Sequence, residues 1–122
     1  MSKNSHVATK SISNVWTLRI AHALSGGPLR FNVLDRAVNA PNAPMLSTYL
    51  KRMARDGLIA RRVIELGPPA RVEYGLTPLG LELAKPASEL VTFVDRSMPQ
   101  VDLARERYSV LQAQELSTDQ IT

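Results

Sequence analysis

Glycine and proline break this chain at short intervals, and that punctuation limits what it can become. Ser25-Gly26-Gly27-Pro28, Asn39-Ala40-Pro41, Asp56-Gly57, Gly67-Pro68-Pro69-Ala70 and Thr77-Pro78 follow one another closely. Glycine tolerates left-handed backbone and proline cannot continue a helix, so only short helices and strands fit between these stops. At 122 residues the chain has the length of one domain. With 44% hydrophobic residues it can bury a core without a disulfide or metal staple.

Periodicity fills in the pieces. Residues 1–10 read as frayed or weakly helical. A helical pattern begins at Ser11, with Ile12, Val15, Trp16, Ile20, Ala23 and Leu24 at spacings of three and four. Leu29-Arg30-Phe31 reads as a short extended piece. Asn32 has the chemistry of an N-cap, with Asp35 placed to return a bond to the cap amide. The short helix it opens is expected to turn Val33, Leu34, Ala37 and Val38 inward. Asn42 caps the next helix, and Pro44 sits in its first turn, where a missing N–H costs little. Leu46, Leu50 and Met53 form the apolar stripe of that helix. Ser47, Thr48, Lys51 and Arg55 lie mostly on the other side, with Arg52 flanking. Two short helices joined by a tight turn, the second basic outside, make a helix-turn-helix pattern.

A hairpin follows, from the branched run Ile59 to Leu66 and the alternating run Arg71 to Leu76, which puts Val72, Tyr74 and Leu76 on one side. Thr77 caps another helix with Pro78 at its first position, and Leu79, Leu83, Ala87, Leu90, Val91, Val94 and Met98 continue it. Pro86 predicts a kink or break, and Pro99 a fresh start. The last helix carries Val101, Ala104, Tyr108 and Leu111 at steps of three, four and three, a seam as narrow as that of a coiled coil. Helix, helix-turn-helix, two-stranded wing and further helices form the order of a winged helix-turn-helix domain. The fold class is mainly α with a small β-hairpin wing (α+β). Within a single domain, residues 12–80 are the winged core, 81–115 the C-terminal dimerisation helices and 116–122 a loose tail.

Charge is uneven along this plan. Residues 1–75 hold 11 basic and four acidic side chains, whereas residues 76–122 hold four basic and seven acidic ones. A basic front and an acidic rear suit a chain whose first part faces a polyanion. Cysteine is absent, which removes thiol catalysis, disulfides and Cys-based zinc sites. His6 and His22 are too few for a histidine metal site, and His22 reads as structural. No phosphate-cradling glycine loop, nucleophile elbow or framed carboxylate pair is present, so neither an enzyme nor a cofactor is expected. The N-terminus lacks the apolar segment of a signal peptide, and no apolar run approaches bilayer length. The chain is expected to be soluble and cytoplasmic, without membrane contact.

Several residue runs are more specific than the element order. Trp16-Thr17-Leu18-Arg19-Ile20 followed by Gly27-Pro28-Leu29-Arg30-Phe31-Asn32-Val33-Leu34 resembles the W-T-L-x-I … G-x-x-R-F-N-x-L run of the HxlR family. These are bacterial transcriptional regulators related to the MarR group. Leu46-Ser47-x-x-Leu50-Lys51-x-Met53 and Asp56-Gly57-Leu58-Ile59-x-Arg61 are similar to that family's recognition helix and its exit into the wing. Pro69-x-Arg71-Val72-Glu73-Tyr74-x-Leu76-Thr77-x-x-Gly80 is similar to its wing return and following helix start. The resemblance covers about residues 12–98. It departs from the family in four places. The cysteine that often precedes the tryptophan is missing, which excludes thiol sensing by this chain. Asn14-Val15 stands for the usual Gly-Lys, Pro41-Asn42 for the usual Ile-Ser, and Phe93 for a late tryptophan.

Double-stranded operator DNA is the partner this pattern implies. DNA binding needs cations for phosphate and short polar groups for base edges. Asn42, Ser47 and Thr48 are assigned to base or adjacent phosphate contacts, and Lys51 and Arg52 mainly to phosphate. Arg61 or Arg62 would track phosphate, since strand alternation keeps both from facing the duplex. Arg71 beside the turn is suited to a narrow minor groove, with a cross-strand pair to Glu65 or Glu73 as its alternative. Arg30 is a candidate phosphate clamp. Val101, Ala104, Tyr108 and Leu111 are the expected homodimer interface, and similar proteins dimerise through terminal helices. The function expected is a DNA-binding transcription regulator, with repression the more economical role. The competing reading is a winged-helix module that binds an acidic protein. A small-molecule effector is compatible with this plan, but no residue set marks its pocket.

Overall fold

A computed structural model of the chain describes residues 12–121, with side chains to residue 117. The expectations for residues 1–10 and for Ser11 fall outside the described residues.

Helix α1 (Val15–Leu24) starts where Asn14 caps it, its side chain accepting from the Trp16 amide at 3.0 Å. That cap sets the start of α1. The buried face is Thr17, Ile20, Ala21 and Leu24, while Val15 is 51% exposed. The stripe is thus rotated from the sequence expectation, because a buried threonine and alanine complete the i, i+3, i+4, i+7 pattern. Strand β1 (Leu29–Arg30) lies just ahead of helix α2 (Phe31–Val38). Here the expected cap is corrected: Asn32 lies inside the helix, and the N-cap is Arg30, which makes no side-chain cap bond. Arg30 is held extended by pairing with Glu73 across the sheet, so a tertiary contact does what a capping side chain does elsewhere. Only Leu34 and Val38 of α2 are buried; Val33 and Ala37 face out. A helix this short turns just two residues, one turn apart, onto the core.

Helix α3 (Ala43–Arg55) follows its expected chemistry closely. Asn42 caps it by accepting from the Met45 amide at 2.9 Å, Pro44 occupies its first turn, and Leu46, Leu50 and Met53 are buried. Its exit is a Schellman turn. Gly57 adopts φ +78°, its N–H reaches Ala54, and the Leu58 N–H reaches Met53.

Strands β2 (Ile59–Glu65) and β3 (Arg71–Leu76) form the hairpin, and β1 adds a third antiparallel strand in the order β1-β3-β2. Pairs Leu29↔Tyr74 and Arg30↔Glu73 join β1 to β3. The extended Leu29-Arg30 therefore closes a sheet that local sequence does not announce. Helix α4 (Pro78–Ile121) begins on Thr77, whose hydroxyl oxygen accepts from the Gly80 amide at 3.1 Å. It is one helix of 44 residues through both Pro86 and Pro99, so the expected break and the separate last helix are corrected. Each proline removes one amide donor, while helix bonds on either side remain to carry the segment through. The helical assignment also runs past residue 116, where a loose tail is expected from sequence. Its buried stripe near the start is Gly80, Ala84, Ala87 and Val91, with Leu79 and Leu90 outside.

The chain divides into two compact units, the first ending at Val91 and the second beginning at Thr92. The core of the first unit gathers Ile20, Ala21 and Leu24 from α1, Leu34 and Val38 from α2, and Leu46, Leu50 and Met53 from α3. Leu58, Ile59 and Ala87 complete it. His22 is a structural group, as expected: its Nδ1 and the Ser88 hydroxyl share a 2.7 Å hydrogen bond that joins α1 to α4.

A Cβ at Gly80 would collide with the Leu58 carbonyl, so this glycine permits the approach of α4 to the end of α3. We expect Gly80→Ala to cost about 1–3 kcal/mol in urea unfolding, the usual toll of overpacking. Gly26→Ala, which meets no atom within 4 Å, should stay within about 0.5 kcal/mol of the parent.

Candidate nucleic-acid interface

The outward side of α3 is built by the same periodicity that buries its apolar stripe. Pro44, Thr48, Lys51 and Arg55 are all exposed and lie one helical turn apart in succession. Asn42 commits its side-chain oxygen to the helix cap, and the residue is otherwise exposed. Thr48 donates its hydroxyl proton to the Pro44 carbonyl at 2.9 Å, which leaves its oxygen an acceptor. Ser47 is half-buried and sits toward the edge of this face. The Arg52 guanidinium lies 5.2 Å from the Tyr49 ring centroid, a cation–π contact that holds it over the helix surface. Arg55, exposed, pairs with Asp56 at 3.2 Å.

The wing supplies the second set. From Ala60 to the tip, β2 is exposed on both faces. Arg61 stands opposite Tyr74, and Arg62 opposite Glu73. Because successive side chains alternate, Arg61 and Arg62 occupy opposite faces of the sheet. Glu73 is also the partner of Arg30 on β1, so Arg30 and Arg62 flank one carboxylate on a shared face. Arg71 does not stand free: its Nε lies 3.1 Å from Glu65 Oε2. Beyond them Leu66 is 94% exposed at the start of the Gly67-Pro68-Pro69 turn.

The C-terminal unit presents another surface. Within it Ala104, Tyr108 and Leu111 are exposed, Tyr108 by 63%, and Val101 is partly covered. Leu103 and Val110 are also exposed and, with Leu111, line a shallow apolar groove of about 460 Å³. Sequence reasoning missed both; their seven-residue spacing puts them on one helical face, rotated by roughly 100° from Ala104 and Leu111.

Among the described residues, no group of three His, Asp or Glu side chains is placed to hold a metal, and no helix is long and apolar enough to cross a membrane. A cavity of about 50 Å³ beside Thr17, Tyr49 and Arg52 is roomy for water and well short of the usual size of a small-molecule site.

Comparison with known proteins gives a consistent answer. The family model described as HxlR-like helix-turn-helix matches residues 11–102. The HTH-type transcriptional regulator YtfH of Escherichia coli K12 is 31% identical over 97 residues, which are 80% of this chain and 76% of that protein. Among solved structures, the transcriptional regulator ytfH from Salmonella typhimurium is 31% identical with a TM-score of 0.74, over 84% of this chain and 90% of that one. Diamide-treated YodB from B. subtilis is 26% identical with a TM-score of 0.62, over 79% of this chain and 94% of its own.

The Asn42 cap has a structural role that can be measured without a ligand. Asn42→Ala should destabilise the fold by about 0.5–2 kcal/mol, and Asn42→Gly by only a few tenths, in thermal or urea unfolding. An unchanged stability in Asn42→Ala would show that the Met45 amide does not depend on the cap.

Proposed function

The chain belongs to the HxlR-like helix-turn-helix family of transcriptional regulators, and on that premise we propose that it binds operator DNA as a homodimer and represses transcription. Residues 12–80 act as the reading core and residues 81–115 as the dimerisation segment. In this account Asn42, Ser47 and Thr48 approach base edges or neighbouring phosphates from α3. Lys51 and Arg52 hold phosphate, Arg30 and one of Arg61 and Arg62 clamp the backbone, and Arg71 enters a narrow minor groove.

One observation carries most weight: the outward face of α3 and the wing from Ala60 to Arg71 bury almost nothing in the fold, yet they concentrate arginine and lysine. Such groups are costly to gather unless a polyanion neutralises them. The dimer is supported by the exposed apolar residues of the C-terminal unit. A helix carrying Leu103, Tyr108, Val110 and Leu111 in water gains by burying them against a second copy. Two-fold symmetry then sets a pseudo-palindromic operator, with half-sites about one helical turn apart.

Selection of bound duplexes from a genomic DNA pool tests the proposal directly. It should return a symmetric site, and affinity for that site should fall with log[salt] at a slope of about −0.9 per contacted phosphate. Arg71→Ala should weaken operator binding by about 1–3 kcal/mol. Binding that is equal for all sequences would reject the operator, and unchanged affinity would reject Arg71 as a reader. For the seam, Tyr108→Glu with Leu111→Glu should convert the dimer to a monomer in sedimentation equilibrium. A double variant that stays dimeric would exclude this face.

A further inference from the structure

The wing contains an irregularity with a chemical outcome. Strands β2 and β3 keep one register from Ile59↔Leu76 to Val63↔Val72, and then it shifts: Glu65, not Ile64, stands opposite Arg71. Continued pairing would have set Ile64 there. The bulge thus brings a carboxylate to the arginine nearest the wing tip, and Glu65 Oε2 accepts from Arg71 Nε at 3.1 Å. Bulges re-aim side chains at functional edges, and this one changes an arginine facing an alkyl group into an arginine held in an ion pair.

We propose that Glu65 is a specificity-determining residue that occupies Arg71 on arbitrary DNA and yields it only to the operator. This rests on the DNA-binding function given above. Both partners are about half exposed, and exposed pairs of this kind are weak enough to exchange. An ordinary phosphate offers Arg71 little more than Glu65 does, so on arbitrary sequence the pair persists and Arg71 releases no counterion. A minor groove narrowed by A·T pairs has a deeper negative potential and draws Arg71 off its carboxylate. Glu65 therefore weakens non-specific binding while leaving operator binding nearly intact, and the ratio of the two rises. Glu89, exposed on α4 and outside the wing, serves as a charge-matched comparison.

The test measures binding of the full chain to operator and scrambled duplexes across a salt series. E65Q should tighten scrambled-duplex binding about two- to fivefold. Its salt slope on that duplex should steepen by about 0.9, the signature of one added phosphate contact. Operator affinity should change less, so discrimination falls. In an R71A background E65Q should have no effect on the slope, and E89Q should not reproduce it. An unchanged slope in E65Q, an equal gain in E89Q, or a gain that survives R71A would each overturn the assignment. If the parent protein discriminates operator from scrambled DNA but E65Q is indistinguishable from it, the assignment to Glu65 alone fails. If the parent binds no duplex, the DNA-binding function fails and the assignment with it.

Discussion

The peptide of Leu58 is where the winged core is fastened. Its N–H closes the Schellman turn on Met53 and ends α3. Its carbonyl accepts from the Thr77 amide at 3.1 Å, and the Thr77 hydroxyl donates to the neighbouring Gly57 carbonyl. Gly80 then lets the first turn of α4 pass close by. The side chain of Leu58 is buried, which anchors this peptide in the core. The end of α3, the base of the wing and the start of α4 are thereby held to one another through two consecutive residues. The direction in which the arginines of the wing stand relative to Lys51 and Arg52 is inherited from that fastening.

Around this point the chain separates packing from exposure. Leu46, Leu50 and Met53 hold one side of α3 in the core, while Thr48, Lys51 and Arg55 leave the other side to solvent. The wing is more extreme, since only Ile59 of β2 is buried. Its attachment comes from the β3 ladder and from β1, whose two residues pair at Tyr74 and Glu73. Arg30 serves both purposes, as the last extended residue before α2 and as a cation beside the sheet. The C-terminal unit inverts the arrangement by exposing its apolar residues, which is the basis of the proposed dimer.

What was legible in the sequence was local. Asn42, Pro44, Asp56-Gly57 and Thr77-Pro78 act on amides within a few residues of themselves, and each marks an element boundary as expected. The resemblance on Trp16–Ile20 and Gly27–Leu34 likewise led to the right fold. What was not legible depended on partners distant in sequence. The start of α2 is set by Arg30 pairing with Glu73, and so Asn32 misleads as a cap. The bulge at Ile64 arises only when two strands meet, and no residue type in β2 announces it. Pro86 and Pro99 read as breaks because a single missing donor is visible in the sequence, whereas the flanking helix bonds that outweigh it are collective. In the candidate site the cap formed by Asn42 was legible and the Arg71–Glu65 pair stood as an alternative, whereas the contact of Arg52 with Tyr49 was not foreseen.

The outer hairpin has one more consequence. From Ala60 to Ala70 no side chain is buried, so the energy that keeps the domain folded resides almost wholly elsewhere. Such a protrusion can lengthen, shorten or trade residues at Leu66–Pro69 with little effect on the stability of its scaffold. If the wing reads DNA as proposed, binding preference and foldability become nearly independent traits, since the fingertip can change while the palm stays as it is.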